Sequence, residues 1–141
     1  MAQIESAAGE DCVVVAEDSA PNRRIIVLLL RKLGFKVIEC EDGDIAWKYM
    51  QENKNDNILA VFSDLMMPNM DGLELLRRTR NSDRFKELPF VLVTAVSDKD
   101  YIFEAKNLNV NGYILKPVTF KRVELKIREL FPERQLPNVA S

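Results

Sequence analysis

Val61-Phe62-Ser63-Asp64-Leu65-Met66-Met67-Pro68-Asn69-Met70-Asp71-Gly72 is the stretch whose reading decides the fold. An apolar run, Ile58 to Phe62, reads as a buried strand. It ends at an acidic residue, Asp64. Pro68 and Asn69 turn the chain, and Leu73, Leu75 and Leu76 open a pattern that predicts a helix from about Met70 to Arg80. An isolated Asp before a helix is ordinarily a cap or a solvated turn residue. A carboxylate at the C-terminal end of a central strand, however, stands where open α/β sheets place ligands. Aspartate can also attack phosphorus and carry it as an aspartyl-phosphate. The rest of the chain decides between these readings.

Working outward, the same strand-then-helix pattern recurs. Cys12-Val13-Val14-Val15-Ala16 is a continuous apolar run suited to a buried parallel strand. Glu17-Asp18-Ser19 follows, and Pro21 suits a first helical turn. Ile26, Leu29, Leu30 and Leu33 form one stripe, which Gly34 stops. Phe35 to Cys40 alternates like a strand nearer a sheet edge. Glu41-Asp42-Gly43 is a turn, and Ile45, Ala46, Tyr49 and Met50 mark a second helix before the polar run Asn53 to Asn57. Beyond the quoted stretch, Asn81-Ser82-Asp83 breaks the third helix. Phe90 to Thr94 is a fourth strand. Ser97 or Asp98 caps a fourth helix with Ile102, Ala105 and Leu108 facing inward, and Asn109 or Asn111 closes it in the left-handed conformation. Gly112 to Leu115 is a fifth strand, ended by Lys116-Pro117. Phe120, Val123, Ile127 and Leu130 mark a last helix, stopped by Pro132. Five strand–helix alternations predict a single α/β domain: a doubly wound, five-stranded parallel sheet with helices on both faces. Residues 1–10 are expected to be a disordered lead-in, 11–131 the domain, and 132–141 a flexible tail.

Size and composition agree. The 141 residues are 47% hydrophobic and 30% charged, the balance of one ordinary globular domain. Twenty basic against 22 acidic residues give a net charge of −2, with no block that would track a nucleic-acid backbone. The two cysteines, Cys12 and Cys40, make no disulfide framework and read as strand residues in a reducing compartment. No histidine is present, which excludes histidine ligands and bases. The longest apolar run, Ile25 to Leu30, is far too short to span a bilayer. The acidic N-terminus is no secretory signal, so a cytoplasmic protein is expected. Neither a G-x-G-x-x-G nor a P-loop pattern occurs, which argues against nucleotide binding.

Parallel strands share one C-terminal edge. That edge collects Glu17 and Asp18 from strand one, Asp64 from strand three, Thr94 from strand four and Lys116 from strand five. Three carboxylates together repel one another and favour a cation. With oxygen donors only, Mg²⁺ suits the group, Mn²⁺ is a second possibility, and Zn²⁺ does not suit it. A backbone carbonyl just after Asp64 can add a ligand. The cation would neutralise phosphoryl charge as Asp64 attacks, Lys116 would pair with one phosphoryl oxygen, and the Thr94 hydroxyl would bond another.

These residues resemble the response-regulator receiver domains of the chemotaxis-regulator type, used in two-component signalling. The match lies in Glu17-Asp18-Ser19, Asp64 through Gly72, Thr94-Ala95 and Gly112-Tyr113-Ile114-Leu115-Lys116-Pro117, across roughly residues 11–131. The resemblance implies a flavodoxin-like strand order 2-1-3-4-5. It implies phosphorylation of Asp64 from the phosphohistidine of a histidine kinase or phosphotransfer domain, with Asp64, Thr94 and Lys116 as the catalytic set. It implies Mg²⁺ held by Glu17, Asp18, Asp64 and the Met66 carbonyl. Thr94 and Tyr113 would form the switch, Lys116–Pro117 would be cis, and a downstream protein would dock on the fourth helix, fifth strand and fifth helix, about residues 98–131. Glu17 stands where many members carry Asp, which keeps the charge on a longer arm. Met66 and Val96 stand where members often carry polar side chains, which predicts slow loss of the phosphoryl group. Three rival readings compete with this one. A haloacid-dehalogenase-like phosphatase would need an acidic residue at position 66, where Met stands. A phosphorylation-independent binding module would not need the complete set of site residues. A receiver excised from a larger regulator or phosphorelay would keep the chemistry and change only the output.

Overall fold

A computed structural model describes residues 10–137. Five strands, β1 (Asp11–Ala16), β2 (Lys36–Cys40), β3 (Asn57–Ser63), β4 (Phe90–Thr94) and β5 (Gly112–Leu115), alternate with five helices. The helices are α1 (Ala20–Lys32), α2 (Gly43–Glu52), α3 (Gly72–Arg80), α4 (Lys99–Asn107) and α5 (Phe120–Leu130). The strands form one parallel sheet in the order β2-β1-β3-β4-β5. This is the flavodoxin-like arrangement expected.

Successive strand residues point to opposite faces, and here both faces are covered. Val13, Val15, Phe62, Val91 and Val93 meet Ile26, Val27 and Leu30 of α1 and Val123 and Ile127 of α5. Val14, Ala16, Val61, Phe90 and Leu92 meet Ala46 and Met50 of α2, Leu73, Leu75 and Leu76 of α3 and Ala105 of α4. Burial on both sides explains why β1, β3 and β4 read as unbroken apolar runs.

The helix starts follow their caps. Ser19 accepts from Asn22 N, Asp42 from Ile45 N, Asp71 from Glu74 N, Asp98 from Asp100 N and Thr119 from Arg122 N. Three sequence expectations are corrected here. Helix α3 begins at Gly72, not near Met70, because Asn69 is left-handed (φ 68°), Met70 N bonds the Pro68 carbonyl, and Asp71 is the cap. Ile45, expected inside, is 44% exposed, since the cap at Asp42 starts the helix with that position turned outward. Val27 is buried in the stripe where Leu29 was expected, and Leu29 is only partly covered. Asp98, not Ser97, caps α4, and Asn109 is the left-handed residue that follows it (φ 57°).

Arg80 ties the end of α3 to the start of β5. Its guanidinium donates to the carbonyls of Leu108, Leu88, Lys86 and Asn109 and to Asn111 Oδ1. Asn111 Oδ1 also accepts from Phe90 N. Beyond α5, Arg134 pairs with Asp11 (3.1 Å) and lies over the Phe35 ring (4.6 Å to the centroid). Leu136 packs on the same core. The expected lead-in, apart from Glu10, and residues 138–141 of the expected tail lie outside the described residues.

A second cluster bridges β2, α2 and the start of β3. Asp56 accepts from Lys36 Nζ (3.0 Å) and from the Tyr49 hydroxyl (2.8 Å). The Lys36 ammonium, then Tyr49, hold the Asp56 carboxyl below the ordinary carboxylate range. A depressed carboxylate pKa contributes stability above the unfolded-state pKa, and that stability is lost as pH falls through the folded-state value. Asp56→Asn should therefore be about 1 kcal/mol less stable than the native chain at neutral pH. The gap should close as the solution is acidified, and urea unfolding along a pH series measures it. A gap independent of pH would assign the effect to packing.

Candidate functional site

The hydrogen-bond ladder runs one residue past β1, β3 and β5. Glu17 N bonds the Cys40 carbonyl (3.0 Å), Asp64 N the Ala16 carbonyl (2.9 Å) and Lys116 N the Thr94 carbonyl (2.9 Å). This extension, with the register Ala16↔Ser63 and Thr94↔Leu115, sets Glu17, Asp64, Thr94 and Lys116 along one sheet edge. Asp18 follows Glu17 and is exposed.

Glu17, Asp18 and Asp64 each offer a carboxylate oxygen, and these atoms lie within 4.8 Å of one another. Glu17 is 1% exposed and Asp64 7%. Lys116 Nζ lies 2.8 Å from Glu17 Oε1 and 2.9 Å from Asp64 Oδ2. The other oxygens also have partners: Glu17 Oε2 accepts from Ser19 N, and Asp64 Oδ1 from Leu65 N. Burial, with the nearby Asp64 charge, pushes the Glu17 carboxyl above its ordinary value even though Lys116 opposes this. Burial works to lower the Lys116 ammonium, but its hydrogen bonds to Glu17 and Asp64 outweigh that and raise it. The cleft is thus a set of crowded anions bridged by one cation. Hard oxygen donors in that number fit Mg²⁺ or Mn²⁺.

Thr94 is buried, and its Oγ1 accepts from Val96 N at 3.3 Å. Tyr113 is half-buried, and its hydroxyl donates to the Val96 carbonyl at 2.7 Å. Burial, then the charges of Asp64 and Asp98, raise the Tyr113 phenol. The two residues of the expected switch are therefore joined through one residue's backbone, which the apolar side chain of Val96 does not advertise. The Lys116–Pro117 peptide is cis. Met66 is 53% exposed beside Asp64, so its side chain is no core filler.

Sequence reasoning missed several supports. Arg23 Nη1 donates to the Glu17 carbonyl (2.8 Å), and Ser63 Oγ to the Asp64 carbonyl (2.8 Å). Asp42, read only as part of a turn, is buried and accepts from Asn69 Nδ2 at 2.7 Å. The Asp42–Asn69 link spans 27 positions, and the two shorter links end on backbone carbonyls, so no side-chain pattern marks any of them.

The order of the sheet and the acidic cleft at its C-terminal edge define an α/β phosphoacceptor architecture. The sequence matches the response regulator receiver domain over residues 13–128, and the chain belongs to that family. It is 38% identical over 120 residues to the chemotaxis protein CheY of Pseudomonas aeruginosa, covering 84% of this chain and 94% of that protein. In three dimensions it matches Vibrio cholerae chemotaxis protein CheY4 with a TM-score of 0.77 at 23% identity, covering 87% of this chain and 99% of that one. The receiver domain of Pseudomonas aeruginosa sensor histidine kinase PA1611 matches with a TM-score of 0.76 at 22% identity, covering 89% and 100%. That structure has a magnesium ion coordinated in the active-site cleft. At these identities both structural likenesses are of fold. The chain is a receiver-type signalling domain of two-component systems. Among the described residues no helix is long and apolar enough to cross a membrane.

Proposed function

We propose that this chain is a cytoplasmic, phosphorylation-activated switch that accepts a phosphoryl group onto Asp64 in a Mg²⁺-dependent reaction. The observation that supports this best is the bridged cluster itself: Asp64 at the end of the central strand, 2.9 Å from Lys116 Nζ, with Glu17 and Asp18 oxygens within 4.8 Å. A carboxylate oxygen of Asp64 forms the new O–P bond. The P–N bond of the donor phosphohistidine breaks, and its electron pair leaves with the imidazole. Glu17, Asp18, Asp64 and the Met66 carbonyl would hold a divalent cation, which would supply charge neutralisation for the phosphoryl oxygens. Lys116 then moves from Asp64 Oδ2 to a phosphoryl oxygen, and Thr94 Oγ1 donates to another. Residues 11–131 carry this chemistry.

The donor is a histidine kinase or a phosphotransfer domain. Movement of Thr94 disturbs the Val96 peptide, and Tyr113 with it, which carries the change to residues 98–131. That face displays Phe103 on α4, Leu115 on β5 and Leu125 on α5, all exposed, as a surface for a downstream protein. The balanced charge gives no reason to invoke nucleic acid or membrane.

The test is acetyl phosphate with and without Mg²⁺, on the native chain and Asp64→Asn, read by intact mass. One phosphoryl adduct that requires both Mg²⁺ and Asp64 is expected. No adduct, with Mg²⁺ bound and acetyl phosphate unconsumed, would overturn the reading in favour of a phosphorylation-independent module. The adduct should also be long-lived, because neither Met66 nor Val96 can position water. Met66→Asn should shorten its lifetime several-fold in a decay time course after removal of the donor. An unchanged decay would show that Met66 does not govern access of water.

A further inference from the structure

Asp42 has one carboxylate oxygen more than a helix cap needs. Oδ1 accepts from Ile45 N at 2.9 Å and so caps α2, while Oδ2 accepts from Asn69 Nδ2 at 2.7 Å, 27 positions away. The residue is 6% exposed. Its neighbour Gly43 donates N–H to the Met70 carbonyl at 3.2 Å, and a Cβ on Gly43 would lie 2.4 Å from that oxygen. The turn before α2 and the loop before α3 are therefore in backbone contact. Asn69 holds a left-handed φ of 68°, and Met70 N closes onto the Pro68 carbonyl at 2.7 Å. At the other end of the loop, Gly72 N bonds the Leu65 carbonyl at 2.8 Å. Between these two tethers lies Met66, and among the described residues nothing donates to its carbonyl.

We propose that Asp42 is a positioning residue for the phosphoacceptor site: through Asn69 it fixes the loop that presents the Met66 carbonyl beside Asp64. The proposal rests on the receiver reading of Asp64. A carboxylate held by both a helix N-terminus and a remote side chain is a rigid anchor, because burial makes either broken bond costly. The loop it holds otherwise lacks regular structure. Releasing the Asn69 tether leaves Asp64, Glu17, Asp18 and Lys116 intact and frees only the carbonyl ligand.

Three variants separate this from a capping role. Asp42→Ser keeps an oxygen for Ile45 N and loses the oxygen facing Asn69. Asn69→Gly keeps the left-handed backbone and removes the amide. Asp42→Asn caps with its oxygen and can donate its amide to Asn69 Oδ1 once that amide rotates, so it restores the tether. Mn²⁺ titration followed by electron paramagnetic resonance should show about tenfold weaker binding in Asp42→Ser and in Asn69→Gly, the scale of a lost outer-shell partner. Asp42→Asn should stay near the native affinity. The Mg²⁺ concentration for half-maximal uptake from acetyl phosphate should shift in parallel, with the saturated rate little changed. Native Mn²⁺ affinity in Asn69→Gly would overturn the proposal, as would equal weakening in Asp42→Ser and Asp42→Asn. If Asp42→Ser does not fold, Asn69→Gly and Asp42→Asn decide alone. A native chain that binds Mn²⁺ but takes no phosphoryl group would sink the receiver reading of Asp64, and the Mn²⁺ comparison would still decide the role of Asp42.

Discussion

Lys116→Met is expected to destabilise the protein by about 3 kcal/mol when no divalent cation is present, and millimolar Mg²⁺ should return most of that loss. Lys116 is the one cation paired with Glu17 and Asp64 among the described residues. Both carboxylates are nearly out of water. Without the ammonium they face each other uncompensated. Protonation of Glu17, whose carboxyl already stands above its ordinary value through burial and the Asp64 charge, limits the damage. The sign follows: a carboxyl with a raised folded-state pKa favours the folded state most when protonated, so the variant should recover on acidification and weaken as pH rises. A bound cation replaces the missing charge and stabilises by linkage, so the variant should gain more from Mg²⁺ than the native chain does. Phosphoryl uptake should still fall by about a hundredfold, because no donor remains for the phosphoryl oxygen that Lys116 would hold. Urea unfolding across a Mg²⁺ series, with uptake of phosphate by intact mass, measures both effects. Equal Mg²⁺ responses in the two proteins would show that Lys116 and the cation do not balance the same charges.

Gly72→Ala is the second large effect, expected at about 3 kcal/mol of lost stability. A Cβ at Gly72 would lie 2.2 Å from the Asp64 carbonyl oxygen and 2.9 Å from both Leu65 Cα and Leu92 Cδ2. Two of these neighbours are backbone, so the methyl cannot be accommodated by turning a side chain. The nearest of these atoms is the carbonyl oxygen of Asp64, the proposed phosphoacceptor, so uptake should fall with stability. Gly112→Ala is the control: its nearest neighbour would be Lys126 Cε at 2.8 Å, on a flexible chain that can move aside. That variant should cost less than about 1 kcal/mol. Similar losses in the two variants, measured by urea unfolding, would refute the close-approach account of Gly72. The glycine is thus required by backbone contact. It caps no turn of positive φ, unlike Gly34, whose φ is 95°.

Much of the fold could be read from local pattern. The strands Phe90–Thr94 and Gly112–Leu115 coincide with the runs read from the sequence: β4 is buried throughout and so must be apolar throughout, while β5, at the sheet edge, is bounded by Gly112 and by Lys116-Pro117. Amphipathic edges were less legible. Ile45 and Leu29 fit a helical stripe, but the caps and packing of α2 and α1 turned other residues inward. Periodicity alone starts α3 too early, because a left-handed Asn and a tight turn at Pro68–Met70 leave no periodic signal.

The site divides in the same way. The amino-acid order alone determined which groups stand at the strand ends, Glu17, Asp18, Asp64, Thr94 and Lys116, because the end of an apolar run is a local property. Only the tertiary structure decided how they pair. Lys116 meets Glu17 across 99 positions and Asp64 across 52, and Arg80 gathers carbonyls up to 29 positions away. Asp42 reaches Asn69, and the Val96 peptide joins Thr94 to Tyr113. Sheet order and register bring these partners together, and neither is encoded in periodicity: a strand's pattern states that it is buried, while its neighbour is chosen by the packing of the whole sheet.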